Sequence, residues 1–205
     1  MTLPNQIAPH AIQERCIRLI QTERLVLRAP RAQDAKTIAA LVNDRRIAEN
    51  TLRIPHPYGI ADAQRFITGV NASSGETVFL IVRRDDTVLG ACGVAERPGD
   101  SPELGYWLAF AFWGTGYATE AARAVIDYAF DDLGYEMLHA GARASNPASR
   151  RVLEKCGLSG RESSSIASAR SPRPHHSIDF GSTAGAGWSA TAAWGKARSR
   201  LKLGT

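Results

Sequence analysis

Residues 112–121 read FWGTGYATEA, and the two glycines, Gly114 and Gly116, stand just before a run whose apolar residues recur at helical steps. That spacing suits the holding of an anion. A helix that starts straight after a tight glycine turn leaves its first N–H groups without intrahelical acceptors, and its dipole places partial positive charge at the same end. Glycine lets such a backbone approach a phosphate closely. The same pair also fits a tight strand-to-helix turn that binds nothing. Other glycine chemistries fit poorly. The nucleoside triphosphate loop Gly-x-x-x-x-Gly-Lys-Ser/Thr is absent, because the Gly195-Lys196 pair has Ala190 and Ala197 at the positions that need Gly and Ser or Thr. GAGWSA at 185–190 matches a loose dinucleotide pattern, but no convincing strand precedes it and no ribose-binding acid follows.

Elements of mixed type must position this turn. RLVLR (24–28) alternates as a strand, and Asp34 is placed to cap a helix through Val42. A short polar helix fits 45–50. Pro55 and Pro57 make 54–59 a loop, and Asp62 is placed to cap a helix carrying Phe66, Ile67 and Val70. TVFLIVRR (77–84) and TVLGACGVAE (87–96) flank Asp85-Asp86 as a hairpin, and ELGYWLA (103–109) extends it to an antiparallel meander. Ala118, Ala122, Val125, Ile126, Ala129, Phe130 and Leu133 mark a helix that ends near Gly134. EMLHAGA (136–142) is a strand, and Asn146-Pro147 opens a helix that Gly157 closes.

Composition narrows the function classes. A chain of 205 residues with 44% hydrophobic content supports one core. No apolar run is long enough for a membrane span, and the first residues lack the order of a secretory signal, so a cytoplasmic protein is expected. Cys16, Cys92 and Cys156 are odd in number and widely spaced, and they read as reduced thiols; neither they, His139 nor the pair His175-His176 has metal-ligand spacing, so no metal is implied. The net charge of +5 lies wholly in residues 159–205, whereas 1–158 balance to zero. A neutral core with a basic tail argues against nucleic acid as a partner.

Composition also changes at residue 158: beyond it only five of 47 residues are Leu, Ile, Val or Phe. Residues 159–205 are therefore expected to be a basic, low-complexity, disordered or poorly packed tail, following a domain at 21–158 and an N-terminal extension at 1–20.

Together TERLVLR, ELGYWLA, WGTGYATEA and NPASRRVLEKCG, in this order, resemble the Gcn5-related N-acetyltransferase (GNAT) superfamily, in particular its RimJ/RimL-like branch of ribosomal-protein N-terminal acetyltransferases. The resemblance covers roughly residues 20–158. It implies an α+β fold: a mixed, mostly antiparallel central sheet flanked by helices, with acetyl-coenzyme A in a gap between the strands at 103–109 and 136–142. Its pantetheine would pair with main chain at Leu108, Ala109 and Phe110. Its pyrophosphate would sit on the backbone of Trp113, Gly114, Thr115, Gly116, Tyr117, Ala118 and Thr119. Asn146 is either a cofactor contact or simply a helix cap.

For catalysis the resemblance points to Glu103 as base and to Ser149 as the group facing the departing thiolate. An exposed strand-end carboxylate and a first-turn serine bonded to backbone are the alternatives. The implied partner is an amine acceptor, a protein N-terminus or a small molecule, used by a monomer or homodimer; His56 and Tyr58 are positioned to line its pocket. Relatives close the sheet with two further strands, which the tail's composition does not provide. The expected function is transfer of an acetyl group from acetyl-coenzyme A to that amine; the alternative, should the strands be missing and the last segment be an unrelated sequence such as a shifted reading frame produces, is a coenzyme A-binding module with impaired or lost catalysis.

Overall fold

The computed structural model describes residues 19–51, 53–97, 100–162 and 187–193. In chain order these form β1 (Leu19–Gln21), β2 (Leu25–Arg28), α1 (Ala35–Val42), α2 (Arg45–Asn50), α3 (Ile60–Ala72), β3 (Glu76–Arg83), β4 (Val88–Arg97), β5 (Asp100–Leu108), α4 (Tyr117–Asp131), β6 (Met137–Arg143), α5 (Pro147–Lys155), β7 (Ser159–Glu162) and β8 (Gly187–Ala193). All eight strands join one sheet in the order β1-β2-β3-β4-β5-β6-β8-β7. Every pairing is antiparallel except β5 with β6.

Two apolar layers hold the helices on the sheet. Phe79 and Ile81 of β3 point to one face, where they pack with Ala121, Ala122, Val125 and Ala129 of α4. Leu80 and Val82 point to the other and meet Ile38 and Val42 of α1 and Ala63 and Ile67 of α3. Coverage of both faces explains why β3 reads as a continuous apolar run. Each fully buried Leu, Ile or Phe in these layers contributes about 1.5–3 kcal/mol. None of the helices among the described residues is long and apolar enough to cross a membrane.

The two aspartates expected to cap helices do so from a different position. The Asp34 side chain makes no cap bond to α1; it accepts the Arg31 N–H at 2.7 Å and both terminal nitrogens of Arg28 at 2.8 Å. Asp62 lies inside α3 and accepts the N–H of Gly59, the true N-cap, at 2.8 Å. Each acid reaches back from the third position and satisfies an amide at the helix entrance. Spacing alone does not separate this arrangement from direct capping.

The C-terminal expectation needs a larger correction. Strands are present at 159–162 and 187–193, and β8 pairs with β6 over seven residues, from Met137↔Ala193 to Arg143↔Gly187. β7 pairs with the other edge of β8 over four. The closing strands are therefore not missing, and residues 187–190 of GAGWSA lie in a strand. Gly and Ala have low strand preference, which hid the segment, yet GWSATAA alternates in sequence and main-chain bonding on both sides sustains it. The rest of the tail, with His175 and His176, lies outside the described residues, as do 1–18 with Cys16.

A proline within β8 tests this assignment. Ala190 faces Ala140 on one side and Gly160 on the other. Ala190→Pro removes a ladder donor and is expected to lower stability by roughly 2–3 kcal/mol in urea denaturation. A neutral outcome would place these residues outside the sheet.

Candidate active site

The parallel pairing of β5 with β6 consists of two residue pairs, Glu103↔His139 and Leu104↔Ala140. Beyond Leu104 the strands part. The Ala109 amide bonds to the Leu89 carbonyl at 2.9 Å, which ties that residue to β4. Alternation along β5 then turns the main-chain groups of Tyr106 and Leu108 toward the gap. The Leu108 carbonyl accepts the Trp113 indole N–H at 2.8 Å. Ala109 and Phe110 also use their carbonyls internally, accepting the amides of Phe112 and Trp113.

At the head of the gap the chain enters α4. Gly114 and Gly116 have φ of +75° and +86°, and Gly116 is the N-cap. Open space surrounds a Cβ built at Gly114, and one at Gly116 meets only the Arg24 guanidinium at 3.4 Å. Both glycines are thus required by left-handed backbone and not by crowding within the protein. The first intrahelical bond runs from the Glu120 amide to the Gly116 carbonyl. The amides of Tyr117, Ala118 and Thr119 therefore precede any helical acceptor and form the expected anion-binding end.

This turn is clamped from behind. Arg24 donates to the Thr115 carbonyl at 3.1 Å and pairs with Glu120 at 2.6 Å, and its guanidinium lies 4.5 Å from the centre of the Tyr117 ring. Glu120 also accepts from the Thr22 hydroxyl at 2.7 Å and the Arg24 amide at 2.9 Å. On the mouth side, Phe110 lies between the Arg46 guanidinium, 3.4 Å from its ring centre, and the Trp113 ring, 5.2 Å away.

A cleft of about 290 Å³ runs along the gap and collects Leu108, Trp113, Gly114, Gly116, Ala118, Thr119, Asn146 and Ser149. Ala109, Phe110, Thr115, Tyr117 and Glu103 lie off its lining. Asn146 caps α5 by accepting the Ser149 amide at 3.0 Å. The Ser149 hydroxyl is 2.8 Å from the Tyr106 hydroxyl.

Glu103 lies in the last stretch where β5 and β6 still pair, and its side chain is on the opposite face of the sheet. It is an odd number of residues from Tyr106 on one strand, so the two side chains project to opposite sides of the sheet. The register aligns Glu76, Ala95, Glu103 and His139 in a row across β3, β4, β5 and β6. Arg53 spans two members of this row, 3.5 Å from Glu103 and 3.7 Å from Glu76.

Tyr106, read from its spacing as core or pocket wall, is in the lining, while sequence reasoning missed other lining groups, among them Asn50, Thr51, Arg151 and Lys155. The four-residue spacing of Arg151 and Lys155, starting two residues after Ser149, was the available signal for a cationic flank. Tyr58, expected at the acceptor pocket, is instead buried with α1 and α3. Burial pushes the Cys92 thiol up and raises that of Cys156 to about 11, so neither is an activated nucleophile.

A sheet opened between two central parallel strands, above the bare amides of a helix, defines an acyltransferase architecture. Residues 24–159 match the acetyltransferase (GNAT) domain family, and the chain belongs to that family. It is 29% identical over 140 residues to the uncharacterized N-acetyltransferase p20 of Bacillus licheniformis, covering 65% of this chain and 78% of that protein. Two solved structures share the fold. RimL, the ribosomal L7/L12 α-N-protein acetyltransferase, in complex with coenzyme A, aligns with a TM-score of 0.66 at 14% identity over 86% of this chain and 98% of that one. Spermidine N-acetyltransferase from Vibrio cholerae, in complex with coenzyme A and spermine, aligns with a TM-score of 0.63 at 18% identity over 84% and 96%.

The clamp behind the turn has a pH signature. Burial works against the charged form of Glu120, but hydrogen bonds from Thr22 and Arg24 outweigh it and hold its carboxyl below the ordinary glutamate value. A carboxyl lowered on folding stabilises the protein above its unfolded pKa and loses that contribution as pH falls through the folded one. Glu120→Gln is expected to cost about 1–3 kcal/mol at pH 7. The gap to wild type, followed by urea denaturation, should narrow as pH falls below about 4.

Proposed function

We propose that the chain transfers the acetyl group of acetyl-coenzyme A to an amine, a protein N-terminal α-amine or a small-molecule amine. The observation that carries this reading is the parting of β5 and β6 after two residue pairs, which opens a cleft onto the unbonded amides of α4. The pyrophosphate is assigned to the backbone of residues 113–119, with Arg151 and Lys155 adding positive charge along the same cleft. The pantetheine arm is assigned to the strand edge at Tyr106 and Leu108, beside Asn146.

Acetyl transfer needs an uncharged amine whose lone pair forms the C–N bond as the thioester C–S bond breaks. An α-amine with a reference pKa of about 7.7–8 has roughly a tenth of its population uncharged at neutral pH, whereas a lysine amine near 10.4 has far less. An α-amine therefore asks less of a base. Glu103 takes the released proton, through water, on the face where Arg53 holds its carboxylate. Ser149, on the other face, hydrogen-bonds to the sulfur as it acquires charge. RimL and the Vibrio enzyme carry protein and polyamine acceptors in their names, and both classes belong in the acceptor panel.

Thiol release from acetyl-coenzyme A with that panel is the direct test. Glu103→Gln is expected to lower kcat more than coenzyme A binding, most clearly at low pH, where more of the amine is protonated. Gly116→Val forces a β-branched residue into φ of +86° and should weaken coenzyme A binding by about ten-fold in a protein that still folds. Unchanged affinity would remove the α4 turn from the site. Equal activity across the pH range would remove Glu103 from the mechanism.

A further inference from the structure

A serine hydroxyl is a weak acid and a free rotor, so Ser149 alone is a poor partner for a departing thiolate. The structure supplies a second hydroxyl behind it. Tyr106 stands on β5 and Ser149 in the first turn of α5, and their oxygens are 2.8 Å apart at the wall of the cleft. The Tyr106 oxygen is 3.4 Å from the Ser149 carbonyl, a longer alternative for the same proton. The phenol is the stronger acid of the two hydroxyls and the aliphatic oxygen the better acceptor, so the favoured arrangement has Tyr106 donating to Ser149 Oγ. The Ser149 amide is engaged with Asn146 Oδ1 at 3.0 Å, which fixes the residue at its backbone as well.

We infer that Tyr106 is a positioning residue for acetyl transfer: by donating to Ser149 Oγ it turns the serine O–H into the cleft, toward the sulfur of coenzyme A. This rests on the acetyl-coenzyme A reading above. No proton is relayed through the phenol. Burial raises the Tyr106 pKa and keeps the hydroxyl protonated, so it acts as a fixed donor. As the C–S bond breaks, its electron pair goes to sulfur, the serine O–H hydrogen-bonds to that charge, and the thiolate takes its proton from solvent on release. The amine's own proton leaves on the opposite face, at Glu103. A chain of two hydroxyls polarises in one direction, and the donor nearer the sulfur gains strength from the one behind it.

Coenzyme A itself is the probe, which makes the test independent of the acceptor. The thiol of bound coenzyme A is titrated by thiolate absorbance on wild type, Tyr106→Phe, Ser149→Ala and the double variant. Tyr106→Phe keeps the ring that packs on the core, and thermal unfolding checks that it does. The bound thiol should titrate lowest on wild type, rise by roughly half to one pH unit in either single variant, and rise no further in the double variant. A rise in Ser149→Ala with none in Tyr106→Phe overturns the positioning role and leaves the serine assignment standing. A further rise when Tyr106→Phe is added to Ser149→Ala shows the phenol acting without the serine, and also overturns it. No rise in Ser149→Ala removes the serine from the site, and Tyr106 with it. Failure of wild type to bind coenzyme A sinks the functional reading itself.

Discussion

Two parallel strands cannot part in the middle of a sheet without leaving main-chain groups unbonded, and the site is built on that constraint. β5 and β6 share only two residue pairs. Past them, the groups of β5 that face the gap must be satisfied by something other than a neighbouring strand. One, the Leu108 carbonyl, is taken by the Trp113 indole, so a side chain from the loop before α4 holds the edge of the opening in shape. The core on both faces supports the parted strands, because β3 and β4 are sandwiched between α4 on one side and α1 with α3 on the other. What surrounds the opening is close-packed core.

The two faces of the sheet carry different polar groups. Glu103 and Arg53 lie on the α1 and α3 side of the sheet, and Tyr106 and Ser149 line the cleft on the α4 and α5 side. Alternation along one strand is enough to produce this separation, since Glu103 and Tyr106 are three residues apart. The Glu103 carboxylate and the Tyr106–Ser149 hydroxyl pair therefore have separate surroundings, one beside a guanidinium and the other half-buried at the wall of the cleft. Behind the α4 turn, Arg24 and Glu120 bind the glycine loop to the entrance of β2, which ties the N-terminus of α4 to the sheet.

Much of this was legible in the sequence where periodicity and turn chemistry agree. The α4 helix, the β3–β4 hairpin and the Asn146-Pro147 start of α5 follow directly from spacing. The glycine turn was legible as a helix entrance, although Gly114 and Gly116 serve left-handed backbone and not close packing. Long-range geometry was not legible. Nothing local to Tyr106 announces a partner 43 residues away, and nothing in Arg53 announces its place between two carboxylates on different strands. The most instructive miss is β8, whose small residues carry little strand preference of their own and are specified by the edges on either side.

The place of β8 has a consequence for how the chain is assembled. It lies between β6 and β7 in space but follows both in sequence. A growing chain therefore presents the edge of β6 first, and β7, whose strand partner is β8, gains its place in the sheet only when residues made later pair with both. His139 and Ser159 both pair with Thr191, so these contacts close long loops. Such closure is slow compared with the hairpins of the N-terminal half. The half carrying the glycine turn can form early, while the β6 flank of the cleft waits for its inserted strand; during that interval the bare edge of β6 is a template for another extended segment.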